Sequence, residues 1–123
     1  MKILIAEDEP VMLKAIQTRL VNDGYEVVIT TDGREALQVL ETFQPDLIIT
    51  DILMPYTSGL ELIGVVKSNP FKKIPIIVLS AFGQETTVLE AFDLGADDFL
   101  TKPFNPSELS MRVKRLLNDV IEN

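Results

Sequence analysis

Leu47-Ile48-Ile49-Thr50-Asp51 puts three consecutive branched aliphatic residues ahead of a threonine and a carboxylate. A short, uninterrupted apolar run reads as a strand covered on both faces, as in a parallel sheet, whereas a half-exposed strand would alternate. Ile3-Leu4-Ile5 and Ile76-Ile77-Val78-Leu79 have the same character. Working outward, Lys2 to Ala6, Tyr25 to Thr30, Leu47 to Thr50, Ile74 to Leu79 and Asp98 to Thr101 read as five strands. The segments between them carry helix punctuation. Pro10 stands at a first helical position, and Asp32 with Glu35 and Ser58 with Glu61 have capping-box spacing. Asn105-Pro106-Ser107-Glu108 supplies a cap, a proline and a first-turn acid. Ala36, Val39, Leu40 and Phe43 share one helical face, as do Leu109, Val113, Leu116 and Val120. Gly24 and Gly95 read as helix stops. Five β-α units with no change of composition predict one open α/β domain over residues 1–123, with right-handed crossovers laying helices on both faces of the sheet.

Composition narrows the chemistry. The chain has neither cysteine nor histidine, which removes thiolate sites, histidine bases and the usual ligands of zinc, copper and iron. A metal here must be a hard cation held by oxygen: Mg2+, Mn2+ or Ca2+. Nineteen acids against eleven Lys and Arg give a net charge of −8, which argues against direct nucleic-acid binding by this domain. The longest apolar runs are a few residues, too short to span a membrane, and Met1-Lys2 leads straight into the first strand without a signal-peptide core. A cytoplasmic location is the expectation.

In open parallel sheets the binding crevice lies beyond the carboxyl ends of the strands. There this chain places Glu7, Asp8 and Glu9 after strand one, Asp51 after strand three, Ser80 after strand four and Lys102 after strand five. Asp32, after strand two, is better explained as a helix cap. Like charges at ~4 Å and an effective dielectric of ~20 repel by about 4 kcal/mol per pair. One lysine does not balance three acids, so either a carboxyl keeps a proton or a divalent cation sits among them. A carboxylate nucleophile beside such a cation, a lysine and a hydroxyl suits phosphoryl transfer, and needs no separate base because the carboxylate is already ionised.

Ile5-Ala6-Glu7-Asp8-Glu9-Pro10, Thr50-Asp51-Ile52-Leu53-Met54-Pro55 with Gly59, Leu79-Ser80-Ala81, and Gly95-Ala96-Asp97-Asp98-Phe99-Leu100-Thr101-Lys102-Pro103-Phe104 occur in order at these strand ends. Together they resemble the response-regulator receiver domains of two-component signalling, over essentially the whole chain. The resemblance implies a flavodoxin-like sheet of order 2-1-3-4-5. It implies Asp51 as phosphoacceptor, and Mg2+ (or Mn2+) on Glu7, Asp8, Asp51 and the backbone carbonyl of Leu53. It further implies Lys102 and Ser80 as phosphoryl contacts, Phe99 as the switch aromatic and a cis bond before Pro103. The implied donor is a phosphohistidine on a sensor kinase or phosphotransfer protein, or a small acyl phosphate, and the implied output is a partner or fused effector.

Such a domain catalyses only its own phosphorylation and dephosphorylation. An aspartate-nucleophile phosphatase would carry a second Asp at position 53, which is Leu53, and a nucleotide-binding domain would carry a glycine-rich loop after strand one. The remaining alternative is a degenerate receiver serving as a phosphorylation-independent interaction module. Leu53 and Phe82 are bulky and apolar where the family flanks the path of hydrolytic water, which predicts a long-lived acyl phosphate. The Gly95 to Phe104 stretch most resembles receivers fused to winged-helix domains, which implies a phosphorylation-dependent homodimer through the fourth helix, fifth strand and fifth helix. Asp97, Asp98, Glu108 and Arg112 fit that arrangement, whereas Val88 and Glu90 replace basic residues. Arg112, Lys114 and Arg115 read equally as an interaction patch or a solvated helix face.

Overall fold

The structure is a computed structural model that describes residues 1–54, 57–69 and 73–122, with side chains through 118. Pro55 and the side chain of Val120 lie outside the described residues. Strands β1 (Lys2–Ala6), β2 (Glu26–Thr30), β3 (Leu47–Asp51), β4 (Ile76–Ser80) and β5 (Asp98–Thr101) alternate with helices α1 (Pro10–Asn22), α2 (Gly33–Phe43), α3 (Gly59–Lys67), α4 (Glu85–Leu94) and α5 (Pro106–Glu122). All four strand pairings are parallel and the order is β2-β1-β3-β4-β5. The three continuously apolar strands are the three central ones, because only central strands are covered by helices on both sides. Edge strand β5 alternates buried and exposed residues.

The two helical layers divide the strand residues by parity. Ile3, Ile5, Leu47, Ile49, Ile77 and Leu79 pack against α1 and α5. Leu4, Ala6, Ile48, Ile76 and Val78 pack against α2, α3 and α4. Each fully buried Ile or Leu contributes about 1.5–3 kcal/mol over its exposed state.

The capping signals hold in atomic detail. Asp32 Oδ1 accepts from Glu35 N–H at 2.8 Å, Ser58 Oγ accepts from Glu61 N–H at 3.2 Å, and Asn105 Oδ1 accepts from Ser107 N–H at 2.8 Å. Gly95 ends α4 in the left-handed region at φ 114°.

Strand boundaries differ from expectation at four places, two at strand starts and two at strand ends. Tyr25 N–H goes back to Leu20 O of α1, so β2 starts one residue later. Pro75 has no N–H to give the ladder, and β4 starts after it. Asp51 and Ser80 belong to their strands, in register with Leu79 and Thr101 respectively.

Two glycines permit close approaches that position the carboxyl edge. A Cβ on Gly59 would lie 2.3 Å from Asp51 O, so the start of α3 packs directly on the end of β3. A Cβ on Gly33 would lie 1.9 Å from Thr57 O, which ties the start of α2 to the β3–α3 loop.

Candidate functional site

Glu7 is the first residue beyond β1, and its N–H still donates to Thr30 O at 3.1 Å, which extends the ladder by one residue. Its side chain is 0% exposed. Asp51 ends β3 and is buried, whereas Asp8 is exposed. One carboxylate oxygen from each of Glu7, Asp8 and Asp51 lies within 4.8 Å of the others. Lys102 follows β5, anchored by its N–H to Ser80 O at 2.7 Å. Its ammonium donates to Glu7 Oε1 at 2.6 Å and to Asp51 Oδ2 at 3.0 Å. The Lys102–Pro103 bond is cis. Ser80 is buried at the end of β4, one residue beyond Leu79, which is the register partner of Asp51.

The electrostatics of this crevice are incomplete. Burial, and then the neighbouring Asp51 carboxylate, push Glu7 up to about 8, although Lys102 pulls it down. Burial would lower Lys102, but its hydrogen bonds to Glu7 and Asp51 outweigh that and hold its ammonium above the ordinary value. Glu7 Oε2 is buried with no hydrogen-bond partner, alone in this among the described residues. An orphaned carboxylate oxygen facing two further carboxylates fits an oxygen-bound divalent cation, since a cation supplies the missing partner and removes the repulsion.

Glu9 is not part of this set. Its two oxygens accept from Val11 N–H at 3.3 Å and Met12 N–H at 3.1 Å, making it the N-cap of α1. Its position directly before Pro10 was the available sequence signal. Leu53 and Phe82 stand on the crevice loops with side chains 52% and 90% exposed. Phe99 is 39% exposed on β5, edge-on to Phe92 of α4 with ring centroids 5.8 Å apart.

The surface of α4, β5 and α5 carries its own set of contacts. Arg112 and Arg115 both pair with one strand residue: Arg112 Nη1 meets Asp98 Oδ1 at 2.7 Å and Arg115 Nη2 meets Asp98 Oδ2 at 3.0 Å. Val88 is buried against the sheet as part of the core, so it does not stand at a surface position where a basic residue would serve. Asp97 is also engaged within the chain, by Lys67 Nζ and by Ile76 N–H, both at 2.8 Å.

Fold and crevice together define a class: a doubly wound α/β domain whose acidic pocket meets a lysine at the carboxyl edge of its sheet. The chain belongs to the response regulator receiver domain family, whose model matches residues 3–114. It is 39% identical to the alkaline phosphatase synthesis transcriptional regulatory protein PhoP of Bacillus subtilis, over 94% of this chain and 48% of that protein. It is 41% identical to response regulator RR06 of Streptococcus pneumoniae, over 95% of this chain and 53% of that protein. The chain thus spans about half the length of the curated relatives it matches. Among solved structures, a putative response regulator from Chloroflexus aurantiacus superposes with TM-score 0.88 at 37% identity, covering 95% of this chain and 97% of that one. The signal receiver domain of a histidine kinase from Syntrophus aciditrophicus gives TM-score 0.88 at 39% identity, covering 97% and 91%.

Proposed function

We propose that Asp51 accepts a phosphoryl group and that the adduct switches the domain's partner surface. The observation that carries this reading is the position of Lys102 Nζ, 3.0 Å from Asp51 Oδ2 and 2.6 Å from Glu7 Oε1, in a pocket with a buried carboxylate oxygen that has no partner. The donor is a phosphohistidine on a sensor kinase or phosphotransfer protein, or a small acyl phosphate. An oxygen of Asp51 forms the new O–P bond while the donor's N–P bond breaks, and its electron pair returns to the imidazole. Lys102 neutralises an oxygen of the group in transit, and Ser80 offers it a hydroxyl. Glu7, Asp8, Asp51 and the Leu53 carbonyl would hold Mg2+, which supplies charge neutralisation for the phosphoryl oxygens. Phe99, now outside against Phe92, turns inward as Ser80 moves toward the phosphoryl group, and the surface of α4, β5 and α5 changes its preferred partner.

The relatives' names support a transcriptional output delivered through an effector or partner rather than by this acidic domain itself. No helix among the described residues is long and apolar enough to cross a membrane, which accords with a cytoplasmic site of action. The decisive experiment is intact mass after incubation with acetyl phosphate and Mg2+. One phosphoryl adduct is expected, lost in Asp51→Asn and without the metal; a folded protein with no adduct would favour the phosphorylation-independent interaction module. Sedimentation of the same samples tests a phosphorylation-dependent homodimer through α4, β5 and α5, which a persistent monomer would rule out.

A further inference from the structure

In a parallel strand, each residue turns its N–H and C=O to one neighbouring strand, and the next residue turns them to the other. At the end of β4 this alternation can be followed to the rim of the crevice. Leu79 O accepts from Ile52 N–H at 2.9 Å, on the β3 side, and Ser80 O accepts from Lys102 N–H at 2.7 Å, on the β5 side. Carried one residue beyond the end of β4, the same alternation would aim the Ala81 N–H to the β3 side, where Asp51 ends its strand. That N–H is not left open. It donates to the side-chain carbonyl of Gln84, Oε1, at 2.6 Å, a short bond for an amide donor. Gln84 N–H reciprocates to Ala81 O at 3.3 Å, so residues 81–84 close on themselves.

Gln84 makes this bond from the position that starts α4. It occupies the N-cap position of α4, and its side chain gives no cap hydrogen bond to that helix. Glu9, Asp32 and Ser58, in the same position on α1, α2 and α3, each accept from their own first turn. A capping side chain contributes about 0.5–2 kcal/mol to a helix. At α4 no side chain makes that contribution, and the Gln84 acceptor is placed instead on an amide at the crevice rim.

We propose that Gln84 is a positioning residue of the phosphoryl-accepting crevice: its side-chain carbonyl holds the Ala81 N–H in reserve and yields it to an anion on Asp51. This rests on the phosphoacceptor reading of Asp51 and adds a cost to it, because the arriving anion must displace an intramolecular acceptor. It also gives the crevice a direct mechanical connection to α4, since the residue displaced is the one that starts that helix.

The test uses the full chain, isotopically labelled, titrated with beryllofluoride and Mg2+ as a phosphoryl mimic, with hydrogen exchange read at the Ala81 amide. Gln84→Met keeps the side chain's length and removes the acceptor; Gln84→Glu keeps an acceptor in place. Gln84→Met is expected to bind beryllofluoride about fivefold tighter than the wild type, the factor one hydrogen bond of ordinary net strength is worth. Its Ala81 amide should exchange faster without the anion and become protected with it. Gln84→Glu should keep Ala81 protected without the anion and bind no tighter than the wild type, which a merely structural role for residue 84 would not produce. Equal affinity in Gln84→Met and wild type, or Ala81 exchange unaltered by Gln84→Met, overturns the latch and leaves Asp51 as acceptor. Absence of binding by the wild type and by both variants overturns the acceptor reading and the latch together.

Discussion

The crevice and the β5–α5 surface each gather acids around basic side chains, and they differ in how completely their charges are met. On the β5–α5 surface, Asp98 has both oxygens engaged: Oδ1 by Arg112 and by Phe99 N–H, Oδ2 by Arg115, while Arg112 also reaches Glu108 at 3.1 Å. Two acids face two guanidiniums. In the crevice, Glu7, Asp8 and Asp51 face Lys102, and Glu7 Oε2 has no partner. A closed cluster fixes structure and needs nothing further. An open one is held together by the fold at a cost, and under the proposed function its missing charges match a cation among the carboxylates and an anion near the lysine.

The largest effect should come from making the open cluster more open. Lys102→Met leaves Glu7 and Asp51 facing each other without their ammonium partner, and removes the donor proposed to meet the transferring group. Loss of one such donor costs about 10²–10³ in rate. A mass-detected time course with acetyl phosphate and Mg2+ should show that slowing. A rate close to wild type would mean that the lysine serves structure, like the arginines on Asp98.

Next comes the pH response, which only the open cluster should show. Glu7 stands at about 8 in the folded protein, above the 4.5 of a free carboxyl. The folded chain therefore keeps a proton that the unfolded chain releases, so Glu7's contribution is fully present below pH 4.5 and is lost as the pH rises through about 8. Urea midpoints measured in chelator should fall over that range. Glu7→Gln should flatten the fall, and Mg2+ should oppose it by favouring the ionised carboxylate. A slope that survives in Glu7→Gln would place the proton elsewhere.

Much of this contrast was legible from residue order alone, and the reason is local. A continuous apolar run, an Asp three residues before a Glu, or an acid directly after a strand can each be read in isolation, and the fold class and the crevice residues followed from such units. The partners of Arg112 and Arg115 could not be read that way. Which strand residue faces α5 depends on the edge position of β5 and on its pleat, and both are set by packing. Gln84 was hidden for a similar reason: its spacing from Ala81 suggests nothing until the alternation along β4 has been followed to its end. Glu9 reads as a fourth acid of the crevice because position after a strand and position before a helix coincide in a three-residue loop.

A smaller effect is expected from opening the closed cluster. Arg112→Met removes one of the two guanidiniums on Asp98, which is only 7% exposed but keeps Arg115 and the Phe99 N–H. A loss of about 1–2 kcal/mol in urea unfolding is expected, with phosphoryl uptake unchanged. A fall in uptake would show that the two clusters are coupled, and that the closed one does more than hold β5 to α5.

The smallest effect concerns how long the anion stays once it has arrived. Leu53 lies two residues beyond Asp51 and is half-exposed, and the reading it tests is that this apolar group flanks the approach of water to an acyl phosphate on that aspartate. Leu53→Asn puts an amide able to hold one water at the same place. One hydrogen bond of ordinary net strength corresponds to about a three- to fivefold acceleration of acyl-phosphate hydrolysis. Loss of the adduct's mass with time, after the phosphodonor has been removed, measures it. An unchanged rate would mean that the apolar rim does not limit water, and that the lifetime is set inside the crevice by Lys102 and the carboxylates around it.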